Sequence, residues 1–434
     1  MKTKNGLMAV VLCALFLVTL SGIGIATATE DETLDIYGNA NEDDILDMRD
    51  LTFTARMILR LEDETDLADA NYDGRVSVAD MTQIGLIILG RESKLTLVDS
   101  ADRIVTVNKP VEKVAIDMTA AVEAITLLGA ADRVVGRCLY INEILFPEIV
   151  ELPVITGPGG YDVYYETVFE LDPDIFLSWN APFPGLDDVI NTLEPEITVV
   201  ALNFHEPETM IEDIRKLRYV LNTEEKGEEL IVFYEGIIKE ITEKTAGEEK
   251  PEVFLKYPGW TPEQLGTFND KAPGMRYLFE IVCGTNIAAD LPGFGFVSGV
   301  DPEWLIDQNP DIVVANIWNV YHPGAFGYEV DNTSVAIATR EQIMEMDAFA
   351  GGKAVEDGKV YLYENELGNT PRIIVGIAYW AKWFHPELFS ELDPKAIHQE
   401  YLTDFLGIDY DLSEHGVFAY PEPIIVNVND SEDG

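Results

Sequence analysis

The chain has 434 residues, 47% of them hydrophobic, and sets 78 acidic against 29 basic residues for a formal net charge of −49. That apolar content is ample for packed cores and excludes a disordered acidic chain. The charge disfavours nucleic acid and anionic membrane surfaces as partners.

Residues 1–28 read as a secretory signal. Lys2 and Lys4 form a basic start, Leu7–Leu20 an apolar run, and Ala26, Thr27 and Ala28 a small-residue cleavage site. The run falls short of the ~20 residues that span a bilayer. Cys13 follows Leu12, where a lipidation signal wants a small residue. The expectation is a secreted, extracellular or cell-surface chain without a lipid anchor.

Residues 31–92 read as a small all-α module. A twelve-residue loop pattern begins at Asn39 and again, 30 residues on, at Asp69. The second copy sets Asp69, Asn71, Asp73, Ser77 and Asp80 at alternating oxygen-bearing positions, with Gly74 at the sixth. A hard cation such as Ca²⁺ takes six to eight oxygens, and a tight loop supplies them when glycine turns its sixth position. The first copy offers Asn39, Asn41, Asp43 and Asp50, with Asn39 in the leading place and Asp44 where glycine belongs. Fewer charges and a strained turn predict weaker binding there. Helices are predicted over Leu51–Leu61 and Met81–Arg91. The pair resembles a dockerin module, which implies calcium in both loops and a cohesin-bearing surface protein as partner.

A polar stretch near Glu92–Lys94 predicts a boundary, beyond which the chain reads as α/β. Leu95–Val107 alternates around a turn and predicts a hairpin. Val111–Ile116 and Arg133–Arg137 read as strands, and Thr119–Leu128 as a helix stopped by Gly129. The alternation continues to about Leu202 and predicts a parallel sheet flanked by helices. A second echo follows: Glu166, Val168, Pro173, Asp174 and Ile175 recur at the same offsets as Glu303, Leu305, Pro310, Asp311 and Ile312. Each unit reads as a helix, a stop and a buried strand, so two similar lobes are expected. Between them Thr223–Ala246 carries Leu230, Ile231, Phe233, Tyr234, Ile237, Ile238 and Ile241 on one stripe. At ~1.5 Å per residue, such a helix joins two lobes rigidly. The predicted organisation is an N-terminal lobe at 95–222, a linking helix at 223–247, a C-terminal lobe with its helices at 248–412, and a tail at 413–434. Cys138 and Cys283 read as buried thiols.

The region Leu95–Leu412 resembles the class III periplasmic-type solute-binding proteins that serve ABC importers of iron-siderophore complexes, haem and cobalamin. The resemblance rests on Asp99–Gly136, both Pro-Asp units, the linking helix, Ile281–Ala289 and Val355–Tyr361. It implies two Rossmann-like lobes joined by one long helix, an iron or cobalt chelate held between them, and no catalysis. It further implies that Glu166 and Glu303 meet an ABC permease.

Parallel α/β lobes bind ligands beyond the carboxyl ends of their strands. The loops expected there supply Tyr140, Gly160, Tyr161, Trp179, Asn180, Trp260, Phe268, Phe294, Phe296, Trp318, Tyr321, His322 and Arg372. Flat rings cover a large organic ligand and glycine lets backbone approach it. Arg372 could pair with a ligand carboxylate or with one of the many acids of the chain; His322 could ligate a metal centre. Two other readings stand beside capture: a dockerin-bearing carbohydrate-active enzyme and a structural surface protein. The long domain contains no Gly-x-Ser-x-Gly, His-Glu-x-x-His or Cys-x-x-Cys pattern to favour the enzyme.

Overall fold

The computed structural model describes residues 33–157, 162–179, 185–257 and 264–425; the predicted signal segment lies outside them. The described chain opens with helices α1 (Met48–Ile58) and α2 (Val78–Ile88). Both begin earlier than the predicted starts at Leu51 and Met81. The reason is local. Asp47 and Ser77 cap the helix ends, and Asp50 and Asp80 reach back to the cap backbone, closing a capping box in each repeat. The last oxygen of each loop therefore lies in the first turn of its helix.

The expected boundary at Glu92–Lys94 is not a linker. Glu92 is buried and its carboxylate lies 3.4 Å from the Lys109 ammonium. Ile36 bridges Leu97 of strand β1 (Lys94–Val98), and the Tyr37 N–H donates to the Thr96 carbonyl at 2.9 Å. Leu34, Ile36, Ile84 and Ile87 share one core with Leu95 and Leu97. A two-helix unit buries too little surface to stand firmly alone; this one completes its core against the neighbouring lobe.

Strand β2 (Ile104–Asn108) pairs antiparallel with β1 as the predicted hairpin. The N-terminal lobe then runs β3 (Val114–Ile116), α3 (Thr119–Leu127), β4 (Val134–Gly136), α4 (Tyr165–Leu171), β5 (Ile175–Ser178), α5 (Leu186–Leu193), β6 (Thr198–Ala201) and α6 (Met210–Leu221). Its sheet is parallel, in the order β4-β3-β5-β6. Helix α7 (Glu224–Thr245) follows, 22 residues long. The C-terminal lobe holds β7 (Glu252–Lys256), β8 (Thr267–Phe268), α8 (Met275–Ile281), β9 (Thr285–Asn286), β10 (Phe296–Val297), α9 (Pro302–Gln308), β11 (Ile312–Ile317), α10 (Ser334–Met344), α11 (Lys353–Glu356), β12 (Val360–Glu364), α12 (Ile373–Phe384), α13 (Pro394–Glu400) and β13 (Ala419–Tyr420). Its sheet order is β13-β12-β11-β7-β9, with only β13 antiparallel.

Both lobes wind alike. In each, the second strand adds on one side of the first, and the third and fourth add on the other. The direction of winding reverses between β3 and β5 in one lobe and between β7 and β11 in the other, which is where doubly wound sheets open a crevice for ligands.

The second sequence echo is a repeated device. Helices α4 and α9 both end on a left-handed residue, Asp172 (φ 49°) and Asn309 (φ 45°). The aspartate after each proline then ties the third strand to the first: Asp174 accepts the Glu112 and Lys113 N–H groups, and Asp311 accepts that of Glu252. Helix α7 packs on α3 and α6 of one lobe and on α8 and α12 of the other. Its stripe buries Leu230, Ile231, Tyr234 and Ile241, with Phe233, Ile237 and Ile238 half-buried. Cys138 and Cys283 are free, buried thiols.

Candidate solute-binding cleft

A cavity of about 740 Å³ lies between the lobes. Its N-terminal side carries Trp179, directly after β5, and Asn203 and His205, just after β6. Its C-terminal side carries Tyr257, directly after β7, with Phe268 on β8, Tyr363 on β12 and Trp380 on α12. Rings dominate this second wall. Tyr257 meets Phe268 edge-on with centroids 4.6 Å apart, and Phe296 lies 5.3 Å from Phe268. Trp318 lies 6.0 Å from Tyr257, and Tyr321 stacks on Trp318 at 6.0 Å. Of the rings chosen from sequence, Trp179 and Phe268 line the cavity, whereas Phe296, Trp318 and Tyr321 belong to the ring cluster beside Tyr257 without lining it; Tyr257 itself was missed by sequence reasoning. Its signal was its place at the end of an apolar strand. Burial pushes the Tyr257 phenol up to about 12, so it stays protonated and can donate a hydrogen bond.

Trp179 faces His205 edge-on at 5.1 Å. Desolvation lowers His205 to about 4, so the ring is neutral at pH 7, and its buried Nδ1 finds no partner among the described residues. Behind this wall Asp117 follows β3 and accepts the Ser178 hydroxyl at 2.5 Å. Burial raises its carboxyl to about 7, against the lowering effect of that bond.

Other sequence candidates sit elsewhere. Tyr140 is 63% exposed and Phe294 fully exposed, and neither lines the cavity. His322 lies beside Thr339, its Nδ1 3.4 Å from the hydroxyl, and also stays outside the lining. Gly160, Tyr161, Asn180 and Trp260 fall outside the described residues. Arg372 corrects the expectation of a ligand-facing guanidinium: it is fully buried. It donates to Glu123 of α3 at 2.9 Å, to Tyr328 at 3.0 Å and to Glu366 at 2.6 Å. Tyr401 also donates to Glu123, at 2.6 Å, and Tyr234 of α7 donates to the Pro371 carbonyl. A carboxylate of the first lobe is thereby caged by a cation and a hydroxyl from the second. Desolvation disfavours the charged Arg372, but Glu123 and its other acidic neighbours outweigh it and hold the guanidinium charged.

Glu166 and Glu303 are both exposed, each in the first turn of its short helix, α4 and α9. A carboxylate there also complements the helix dipole.

The two loops of the N-terminal module share a scaffold. Asp80 accepts the Asn71 N–H at 3.1 Å and the Ser77 N–H at 2.8 Å; Asp50 does the same for Asn41 at 3.2 Å and Asp47 at 2.7 Å. Asp69 accepts the Asp73 and Gly74 N–H groups at 3.0 and 2.7 Å. In the first loop the buried amide of Asn39 donates to the Leu34 and Asp43 carbonyls at 2.8 and 2.6 Å. The side-chain oxygens of Asn39 and Asn41 are buried there and find no hydrogen-bond partner among the described residues. Among the described residues no three His, Cys, Asp or Glu side chains converge on a metal site; any cation in these loops would depend on mixed amide, carboxylate and backbone oxygens.

Two like-wound lobes on one rigid helix, with an aromatic cleft between them, define a bilobed solute-binding protein. The chain belongs to the periplasmic binding protein family, which matches residues 114–367. It is a solute-binding protein of the kind that serves ABC transporters, not an enzyme. It is similar to an uncharacterised ABC transporter substrate-binding lipoprotein of Bacillus subtilis, YvrC, at 25% identity over 307 residues, covering 68% of this chain and 87% of that one. Among solved structures it resembles the TroA-like periplasmic binding protein FepB of Veillonella parvula, with a TM-score of 0.60 and 21% identity over 75% of this chain and 98% of that one. The molybdate-bound protein MolA of Haemophilus influenzae matches with a TM-score of 0.55 and 18% identity, over 73% of this chain and 99% of that one. These two structural likenesses carry the fold.

Proposed function

We propose that this protein captures a metal chelate outside the cytoplasm and hands it to an ABC permease. The chelate class is an iron-siderophore complex, haem or a corrinoid. The observation that carries this reading is the interlobe cavity of about 740 Å³ with its aromatic wall around Tyr257. That volume suits a ligand of several rings or a wrapped chelate. Glu166 and Glu303, equivalent residues on the two lobes, are the permease contacts in this reading.

The N-terminal module is the attachment device. Dockerin-like, it takes Ca²⁺ in its loops and meets a cohesin-bearing surface protein. The unpartnered oxygens of Asn39 and Asn41 support a cation in the first loop, and the Asp69, Asp73 and Asp80 carboxylates in the second. Its fusion to the lobe through β1 makes the attachment rigid.

Intrinsic tryptophan fluorescence tests the capture. Trp179 and Trp380 line the cavity, so ferric chelates or cobamides should change the emission saturably. No response to either, together with hydrolysis of a polysaccharide, sinks the reading in favour of the enzyme.

A further inference from the structure

The charge of the cavity narrows the solute beyond the word chelate. Part of the lining is apolar, formed by Leu255, Met275, Leu367 and Ile377 with the rings of Tyr257, Phe268, Tyr363 and Trp380. The lining contributed by the N-terminal module and the first lobe is acidic, with Asp35, Asp102, Glu206 and Glu212 among it, and Glu206 lies 3.6 Å from His205. Lys216 is the single lysine or arginine among the described lining residues. It is already engaged, 2.6 Å from Glu212 and 3.8 Å from Asp213. His205 is neutral for the reason given above. The three internal segments outside the description, 158–161, 180–184 and 258–263, contain no lysine, arginine or histidine.

A second observation points to an occupant. Trp380 lines the cavity, is 2% exposed, and its indole N–H has no acceptor among the described residues. Buried donors of this kind ordinarily find a partner, and an oxygen of a bound solute can provide one. Aromatic faces attract cations, partly exposed carboxylates lining the cleft add to that attraction, and a chain of net charge −49 draws them in from a distance.

We infer that the solute held between the lobes is a positively charged, largely apolar complex that presents a hydrogen-bond acceptor to Trp380. This rests on the capture reading and goes further, because it excludes anionic ligands such as tris-catecholate chelates and molybdate. Recognition is divided: rings and aliphatic side chains of the C-terminal lobe cover the apolar body, while Asp35 and Glu206 face its charge.

The test titrates the full chain with three probes and follows tryptophan emission: ferrioxamine B, a cationic ferric trihydroxamate; ferric enterobactin, an anionic tris-catecholate; and molybdate. The expected result is at least about tenfold tighter binding of the cationic probe, weakening as salt rises. Glu206→Gln and Asp35→Asn should each weaken that probe by about threefold to tenfold and should not weaken the anionic ones. Circular dichroism checks that both variants fold. Equal or tighter binding of either anion overturns the charge inference and leaves capture standing. If no chelate binds, the chelate reading falls, and two dyes decide the charge inference alone. Preference for cationic rhodamine 6G over anionic fluorescein sustains it; preference for fluorescein, or binding of neither, overturns it.

Discussion

The two lobes share a winding and a capping device but differ in chemistry. Strand register makes the point residue by residue. Val114 pairs with Ile175 in one sheet, and Val253 pairs with Ile312 in the other. Three residues further along the first strands stand Asp117 in one lobe and Lys256 in the other, both buried. Toward the cavity, the first lobe and the adjoining module present carboxylates, and the second presents rings. A repeated scaffold thus keeps its hydrogen-bonded frame at Asp174 and Asp311 while each half of the cleft is free to diverge. A ligand with two unlike faces is the natural occupant of such a cleft.

The largest effect tests what holds these unlike halves together. Arg372→Met leaves Glu123 buried without its cation, and breaking a buried pair from one side costs about 3–5 kcal/mol. Urea unfolding should show that loss, and adding Glu123→Gln should recover much of it. A loss below about 1 kcal/mol would mean that the lobes do not depend on this cage.

Next comes the aromatic half. Phe268→Ala removes a ring from the cluster around Tyr257 and should weaken a bound chelate by about 2 kcal/mol, or roughly thirtyfold. The acidic half should respond less, as its carboxylates are partly exposed. A reversed order would place the main binding energy in the first lobe.

Asp117 gives the contrast a pH dependence. Its carboxyl is raised to about 7 in the fold from an ordinary 3.8. The folded state therefore holds a proton that the unfolded chain has lost. Its contribution is fully present below about pH 4, declines as pH rises toward 7, and is absent above. Each tenfold change in proton affinity is worth about 1.4 kcal/mol, and Asp117→Asn should flatten this part of the stability curve. Thermal melts of both proteins from pH 5 to 8 check it; parallel curves would contradict the assignment.

The smallest effect concerns the two loops. If the loops take calcium as proposed, calcium should raise the melting temperature by on the order of a few degrees, and Asp69→Ala should abolish most of that rise. Asn39→Ala should lower stability with or without calcium, because Asn39 bridges Leu34 and Asp43 in the interior. The same calcium response in both variants would make the loops equivalent.

Much of the architecture could be read in the sequence because it is written as repetition. The Pro-Asp units mark the third strand of each lobe, and the stripe of Thr223–Ala246 marks the bridge. Two features escaped for physical reasons. Glu92 and Lys94 look like a linker because polarity alone does not reveal that Glu92 is buried against Lys109, a contact between distant residues. Arg372, at the head of a helix, looks available to a ligand, but its partner Glu123 lies in the other lobe and is adjacent only after folding. The cleft was half legible. Aromatics near strand ends could be chosen, yet which of them turn inward depends on pleat and register, so Tyr257 and Trp380 were missed while Tyr140 and Phe294 were selected.

The central claim is capture of a metal chelate between two lobes. Its most direct test is to purify the protein from its native source without added ligand, then combine native mass spectrometry with elemental analysis. The account predicts one iron- or cobalt-bearing organic complex per chain, released on unfolding. A sugar or peptide in the cleft, or a bound molecule that the protein converts to product, would contradict it.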